Sequence, residues 1–436
     1  MISFIRTGTL RRLPTLLLNG VAHFTASQPN SLVSLRQAIA ILSHDNEFTE
    51  EVLRCFSIDP DDPDQLKQPL LVGNVKALLD DLALLDSQDW KVDIATELHN
   101  IDLEKVLENN YALFHIYGIK DGALIKAINA DHLQVESRYS ARSNMLDYYD
   151  FSKFASFLHT HQMDTFARSI WEQLQNSIGE EKRCSARLLY HKEEGKYYLR
   201  AETSEQGYKN YGINFSVLVA LLAIDSYAKS NEDIVFIDRY SVDDSTIDLS
   251  FQFSRQISLN RGMSLSLNLL LNNDEIRQSA VSMNAMFKVQ YDKAGNSLYL
   301  KPSSYEVKPG QYITDMLTYT HAMKVSTVYE KIQTLPVLIA KYIQQVKDNA
   351  ESILTIKDPQ IIKDHLLRKV QKARKEEFVN YKESVIQKLI SMEVQTVFDL
   401  FEVLRSVEEL FGDDIRSRSF WREKLYETLI NKGKNE

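Results

Sequence analysis

Two histidines and an acid lie close together in "FLHTHQMD", as His159, His161 and Asp164, and imidazole with carboxylate is a ligand set for zinc and similar ions. On a strand, residues two apart face the same way, and the two histidines could share an ion. The flanks "FSKFASF" and "TFARSIWEQL" carry helical apolar spacing, which turns positions i and i+2 about 200° apart, so surface histidines on a helix or its loop are the simpler reading. A second candidate is Glu194 with Lys196 in "EEGK", which imitates the carboxylate and lysine of metal-dependent nucleases. Here the pair flanks Gly195 at a hairpin tip, where such residues make turns. No set of three or four ligands at workable spacing occurs, so no metal and no other cofactor is expected. Cys55 and Cys184, the only cysteines, build neither a disulfide framework nor a zinc knuckle and suit a reducing cytoplasm.

Phosphate chemistry fares no better. "GYKNYG" at 207–212 is followed by Ile213 and lacks the lysine of a P-loop; there is no dinucleotide fingerprint, nucleophile elbow or His-Glu-x-x-His. Asp59, Asp61, Asp62 and Asp64 lack the glycine and closing glutamate of a calcium loop. The basic candidate is "HLLRKVQKARKEEF", where helical spacing puts Arg368, Lys372 and Lys375 on one stripe that could follow a phosphate backbone. Asp364, Glu376 and Glu377 partly neutralise it, as on an ordinary solvated helix. A net charge of -9 over 436 residues excludes a protein whose whole surface attracts nucleic acid, but leaves room for a local patch.

The elements that must position these residues fall into three regions. Residues 1–150 are expected to be mainly helical, from spacing such as "TEEVLRCFSI" and "VGNVKALLDDLALL". Residues 151–315 are expected to form an α+β core. "CSARLLYHKEEGKYYLRAET" reads as a hairpin, "NFSVLVALLAIDSYAKS" as a buried helix, and five further runs of β-formers with short connections as an antiparallel sheet. Residues 316–436 return to helices, among them "EVQTVFDLFEVLRSVEELFG", which stops at Gly412. The expected fold class is therefore α+β, helical at both ends of a central antiparallel sheet. The longest apolar run, "VLVALLAI" at 217–224, is under half of a membrane span, so no membrane association and a cytoplasmic location are expected. Residues 1–44 hold four arginines and no acid, a bias shared with mitochondrial presequences, yet "NSLVSLRQAIAIL" has the cap and spacing of a folded helix.

The order of motifs resembles that of the phage/plasmid-like protein family, carried on phages, plasmids and genomic islands. Arg200, Ser204 and Tyr208 in "YYLRAETSEQGYKNYGIN" are similar to its Arg-x-x-x-Ser-x-x-Tyr segment, with one additional residue before the tyrosine. "LLLNNDEIRQSAVSM" resembles its Asn-Ser-Glu-Val-Gly corner through Asn272 or Asn273, Glu275 and Ile276, with Arg277 in place of the glycine. His321 falls where the family has a histidine, and "TVFDLFEVL" resembles its Trp-Asp-Leu-Tyr-Asn helix. The resemblance implies a mobile-element setting and an α+β core, and brings no established activity.

Two functions follow as expectations. The first is a non-enzymatic binding protein of phage, plasmid or anti-phage defence context, acting alone, as a homo-oligomer or as a subunit of a complex. Its sheet and "NNDE" corner would recognise a protein partner or nucleic acid, with the basic helix in support. The second is a metal-dependent nuclease or hydrolase using His159, His161, Asp164 or Glu194.

Overall fold

The computed structural model describes residues 22–23, 32–42, 48–107, 111–120, 122, 125–126, 130–178, 183–203, 208–209, 211–259, 262–276, 280–291, 296–308, 311–313, 315–353, 356–374, 376–412 and 414–433. Before the first long strand come β1 (Ala22–His23), α1 (Leu35–Leu42), α2 (Thr49–Cys55), α3 (Pro63–Leu66), β2 (Val72–Gly73) and α4 (Val75–Gln88). Next are β3 (Asp89–Glu97), β4 (Ile101–Val106), β5 (Ala112–Ile116) and β6 (Leu133–Ser137), then α5 (Ala141–Leu146), α6 (Ser152–Thr160) and α7 (Asp164–Ile178). The hairpin β7 (Arg183–His191) and β8 (Lys196–Thr203) precedes the long helix α8 (Ile213–Asn231).

After α8 run β9 (Val235–Val242), β10 (Thr246–Ser258), β11 (Ser264–Asp274), β12 (Val281–Gln290) and β13 (Ser297–Leu300). β14 (Tyr305–Lys308) and β15 (Gln311–Ile313) pair with each other as a two-stranded sheet, and β16 (Leu317–Tyr319) joins β12. The chain closes with α9 (Val325–Gln333), α10 (Leu335–Ile353), α11 (Pro359–Lys372), α12 (Glu376–Val379), α13 (Lys382–Ser391), α14 (Val397–Glu408) and α15 (Ile415–Gly433). The fold is α+β.

Two sheets organise it. The larger runs β1-β9-β10-β11-β12-β13, with β2 parallel to β9 and the remaining pairs antiparallel. Alternation fixes its faces: Leu265, Leu267, Leu269 and Leu271 of β11 enter the main hydrophobic core, while Ser266, Asn268 and Asn272 face the other way. α8, apolar around nearly its whole circumference, lies in the same core. Longer than the eight-residue run read from sequence, it could span a bilayer by length and composition, and 78% of that window is buried inside the fold.

The smaller sheet runs β3-β7-β8-β6-β5-β4, with β6 parallel to β8. It corrects the expectation of a mainly helical stretch to residue 150, because residues 89–137 supply four of its strands. Ile94, Ile101, Leu103, Phe114, Ile116, Leu133 and Val135 point at alternate positions into a second core beneath α5–α7. That period of two passes unnoticed in runs as short as β4, β5 and β6, of five or six residues each.

The two cores do not divide the chain at 150 and 315. The larger draws on residues 33–85 and again on 211–429, whereas the smaller uses 94–199 alone. The smaller sheet is thus inserted between halves of one larger core.

Candidate functional site

The face of the smaller sheet away from its helices carries Lys91 and Asp93 of β3 and Arg187 of β7, on positions alternate to Trp90, Val92 and Ile94. Arg200 of β8 joins them through an irregularity. Arg187 pairs with Ala201 and Leu188 with Leu199, so Arg200 has no opposite residue, and a bulge of this kind re-aims a side chain. Against this face lies the end of the β10–β11 ribbon, with the β9–β10 turn at Asp243–Ser245 and the corner Asn273–Glu275.

Glu275 is the centre of the junction. Its Oε2 accepts from Arg200 Nη1 at 2.8 Å and from Lys91 Nζ at 3.1 Å, and its Oε1 accepts from the backbone N–H of Ile213 at the start of α8, at 2.7 Å. Its carbonyl oxygen takes bonds from Arg187 Nη1 at 2.6 Å and Tyr208 OH at 3.2 Å. Burial alone would raise its pKa, but Lys91, Arg200 and Arg187 outweigh that and hold the carboxyl well below the usual carboxylate range. Arg200 Nη1 also donates to the carbonyl of Asp244 at 2.8 Å, and Tyr139 OH donates to the Asp244 carboxylate. Burial, with the charge of Asp244 beside it, pushes the Asp243 carboxyl up. Arg200 Nε and Nη2 are buried without a hydrogen-bond partner among the described residues.

Tyr208 and His321 close one side. Their rings stack 4.6 Å apart at 8°, the Arg187 guanidinium lies 4.8 Å from the Tyr208 centroid, and Arg187 Nη1 donates to Tyr208 OH at 2.7 Å. His321 Nδ1 sits 3.1 Å from the carbonyl of Lys209, and burial lowers its pKa. Asn273 Nδ2 donates to the carbonyl of Tyr211 at 2.9 Å and to Ser216 Oγ at 2.8 Å, tying the corner to α8. Asn272 donates to the Asp248 side chain within the sheet.

Arg200, Tyr208, Asn273, Glu275 and His321, chosen from separate motifs, therefore meet in one place. Ser204 lies outside the described residues. The corner is not the open recognition surface expected for it: Asn273 and Glu275 are buried, because β11 runs into the seam between the sheets instead of ending in solvent. Sequence reasoning missed Lys91, Arg187 and Asp93. A signal existed in "CSARLLY", where a single arginine interrupts an apolar strand.

The other candidates stay apart. His159 Nδ1 lies 2.8 Å from Asp164 Oδ1 across the α6–α7 turn, His161 packs on Phe157 at 4.4 Å, and Glu194 accepts from Tyr198 at the hairpin tip. Among the described residues no group of three or more His, Cys, Asp and Glu is placed to hold a metal ion. Arg368 and Lys372 are exposed on α11, whereas Lys369 between them pairs with Glu427 at 3.4 Å; Lys375 lies outside the described residues.

One further surface stands out. α6 turns Ser152, Ala155 and Leu158 inward, and α7 likewise buries Ala167 and Trp171, whose Nε1 donates to the carbonyl of Ile101 at 2.8 Å. On the outer side Phe154 and Phe157 of α6, Met163 of the turn and Phe166 of α7 are 44%, 54%, 44% and 50% exposed among exposed polar residues such as Lys153, Thr165, Arg168 and Ser169, with Phe154 and Phe157 stacked 6.1 Å apart. No family model, no curated protein and no solved structure matches the chain.

Proposed function

We propose that the chain is a non-enzymatic binding protein that takes a protein partner on the outer face of α6 and α7. The observation that carries this reading is the run of four large apolar side chains, each about half exposed, on a helix pair whose inner face is already packed. At roughly half of 150–250 Å² for each aromatic ring, the face amounts to roughly 400 Å². The largest apolar patch of a typical monomer is about 300–600 Å² and is often functional, and this face is of that size. Lys153 at one border and the Arg168–Glu172 pair at 3.4 Å supply a charged rim.

A protein fits better than nucleic acid, because phosphate binding needs several cations and among the described residues the stripe on α11 offers Arg368 and Lys372 exposed, with Arg374 beyond them. The nuclease alternative has its histidines and acids engaged with one another and with neighbouring rings. A phage, plasmid or defence setting rests on the order of motifs alone.

The test is quantitative co-purification from the native host with the full chain, the double variant Phe157→Ser/Phe166→Ser, and the double variant Arg368→Glu/Lys372→Glu. A protein retained by the first and third but lost from the second supports the reading. Nuclease-sensitive material lost only from the third would replace it with nucleic-acid binding.

A further inference from the structure

At the hairpin-tip end of the smaller sheet, a groove of about 490 Å³ is lined by His115, His132, Leu133, Gln134, Tyr190 and Tyr197, with Gly195 at its edge. That volume falls within the roughly 300–1,000 Å³ usual for small-molecule sites. Beside it stands a column of rings. Tyr117 lies between His115 and His132, nearly parallel to both at 19° and 22°, with centroids 5.9 Å away on either side. Strand geometry builds the column, since His115 and Tyr117 are two apart on one face and His132 leads into the neighbouring strand β6. Tyr190 and Tyr197 form a second stacked pair at 4.5 Å.

The polar groups converge on one acceptor. Glu104 Oε2 accepts from Gln134 Nε2 at 2.6 Å and lies 2.7 Å from His115 Nε2. Burial would raise the Glu104 pKa, but the hydrogen bonds from His115 and Gln134 outweigh it and keep the carboxylate ionised. Asp131 lies 3.3 Å from the lining residue His132, and Glu104 contacts the lining residues His115 and Gln134, so two acids stand just behind the groove and disfavour a ligand bearing phosphate.

We infer that this groove binds a neutral, planar, nitrogen-rich ring with N–H donors, the chemistry of a guanine-type nucleoside, stacked on the His132 end of the column with its donors turned to Glu104. Histidine and tyrosine rings stack on bases whatever their sequence. A carboxylate acceptor selects the base edge that donates. The site is separate from the α6–α7 face and does not depend on it.

The experiment is equilibrium titration of the full chain with guanosine, adenosine and guanosine 5′-monophosphate. Guanosine is expected to bind saturably, with adenosine and the monophosphate each at least about tenfold weaker. His132→Ala should weaken guanosine by about tenfold, the loss of the ring it stacks on, and Tyr117→Ala by less, since Tyr117 only backs His132. Glu104→Gln should remove the preference over adenosine while leaving stacking in place, and because His132 is largely exposed, its variant keeps the fold whatever happens to Tyr117. Absence of saturable guanosine binding overturns the inference. So does binding unchanged in both His132→Ala and Glu104→Gln.

Discussion

Arg200, in the smaller sheet, and Glu275, in the turn that follows β11 of the larger, are 75 residues apart in sequence and meet at 2.8 Å with both side chains almost wholly buried. Such a pair gains little over a well-packed apolar pair, but removing one partner strands a charge in a poorly solvated place. Here Glu275 faces three cations, so it is the more sensitive member.

Glu275→Ala should lower unfolding free energy by about 3–5 kcal/mol, the usual cost of breaking a buried pair. Denaturant unfolding of the purified chain measures it. A loss below about 1 kcal/mol would show that the junction is not what joins the sheets.

Acid should act through the same carboxyl. Its folded pKa lies below the ordinary value near 4.5, so the unfolded chain takes up the proton first as pH falls. The stability it contributes is therefore fully present above about pH 4.5 and drains away below it. Glu275→Gln should be less stable at neutral pH and should lose less further stability than wild type between about pH 5 and pH 3. Parallel stability curves for the two proteins in that range would count against this.

Asn273→Gly separates a turn from a tie. In an open turn glycine would be tolerated, but Asn273 lies in β11 and is not among the residues with positive φ. Its side chain supplies two buried bonds to Tyr211 and Ser216. A loss of about 2–3 kcal/mol is expected, from the missing hydrogen bonds and the glycine in a strand. Unaltered stability would restore the simple turn.

Reversal of Arg368 and Lys372 should leave unfolding free energy within about 0.5 kcal/mol for each site, as exposed helix charges do. Salt dependence of nucleic-acid binding is the second readout. A slope that flattens by about two would mean that these cations touch phosphates after all.

What could be read in advance was local. The Gly195 hairpin, the apolar helix α8, the β-forming run of β11 and the Gly412 stop after α14 each depend on neighbours within a few positions. Motif order also singled out Arg200, Tyr208, Asn273, Glu275 and His321. Their meeting could not be read, because it depends on Lys91 reaching Glu275 from 184 positions away and Arg187 from 88. Strands β4–β6 were missed because each has only five or six residues, and β3 because Lys91 and Asp93 on its outer face make sense only once the corner of the larger sheet lies opposite. The apolar face of α6 and α7 is visible as phenylalanine in "FSKFASF", but periodicity alone does not say which ring points out.

The divided larger core sets an order of events during synthesis. Residues 94–199 leave the ribosome as a complete unit, sheet and covering helices together, while the helices of residues 33–85 still lack the apolar surface that residues 211–429 provide. At about 5–20 residues per second, the rest of that surface takes roughly ten to forty-five seconds to emerge. Through that interval Leu78, Leu79 and Leu82 of α4 have no native partners from the later half, so their apolar surface stays uncovered until the later strands and helices arrive.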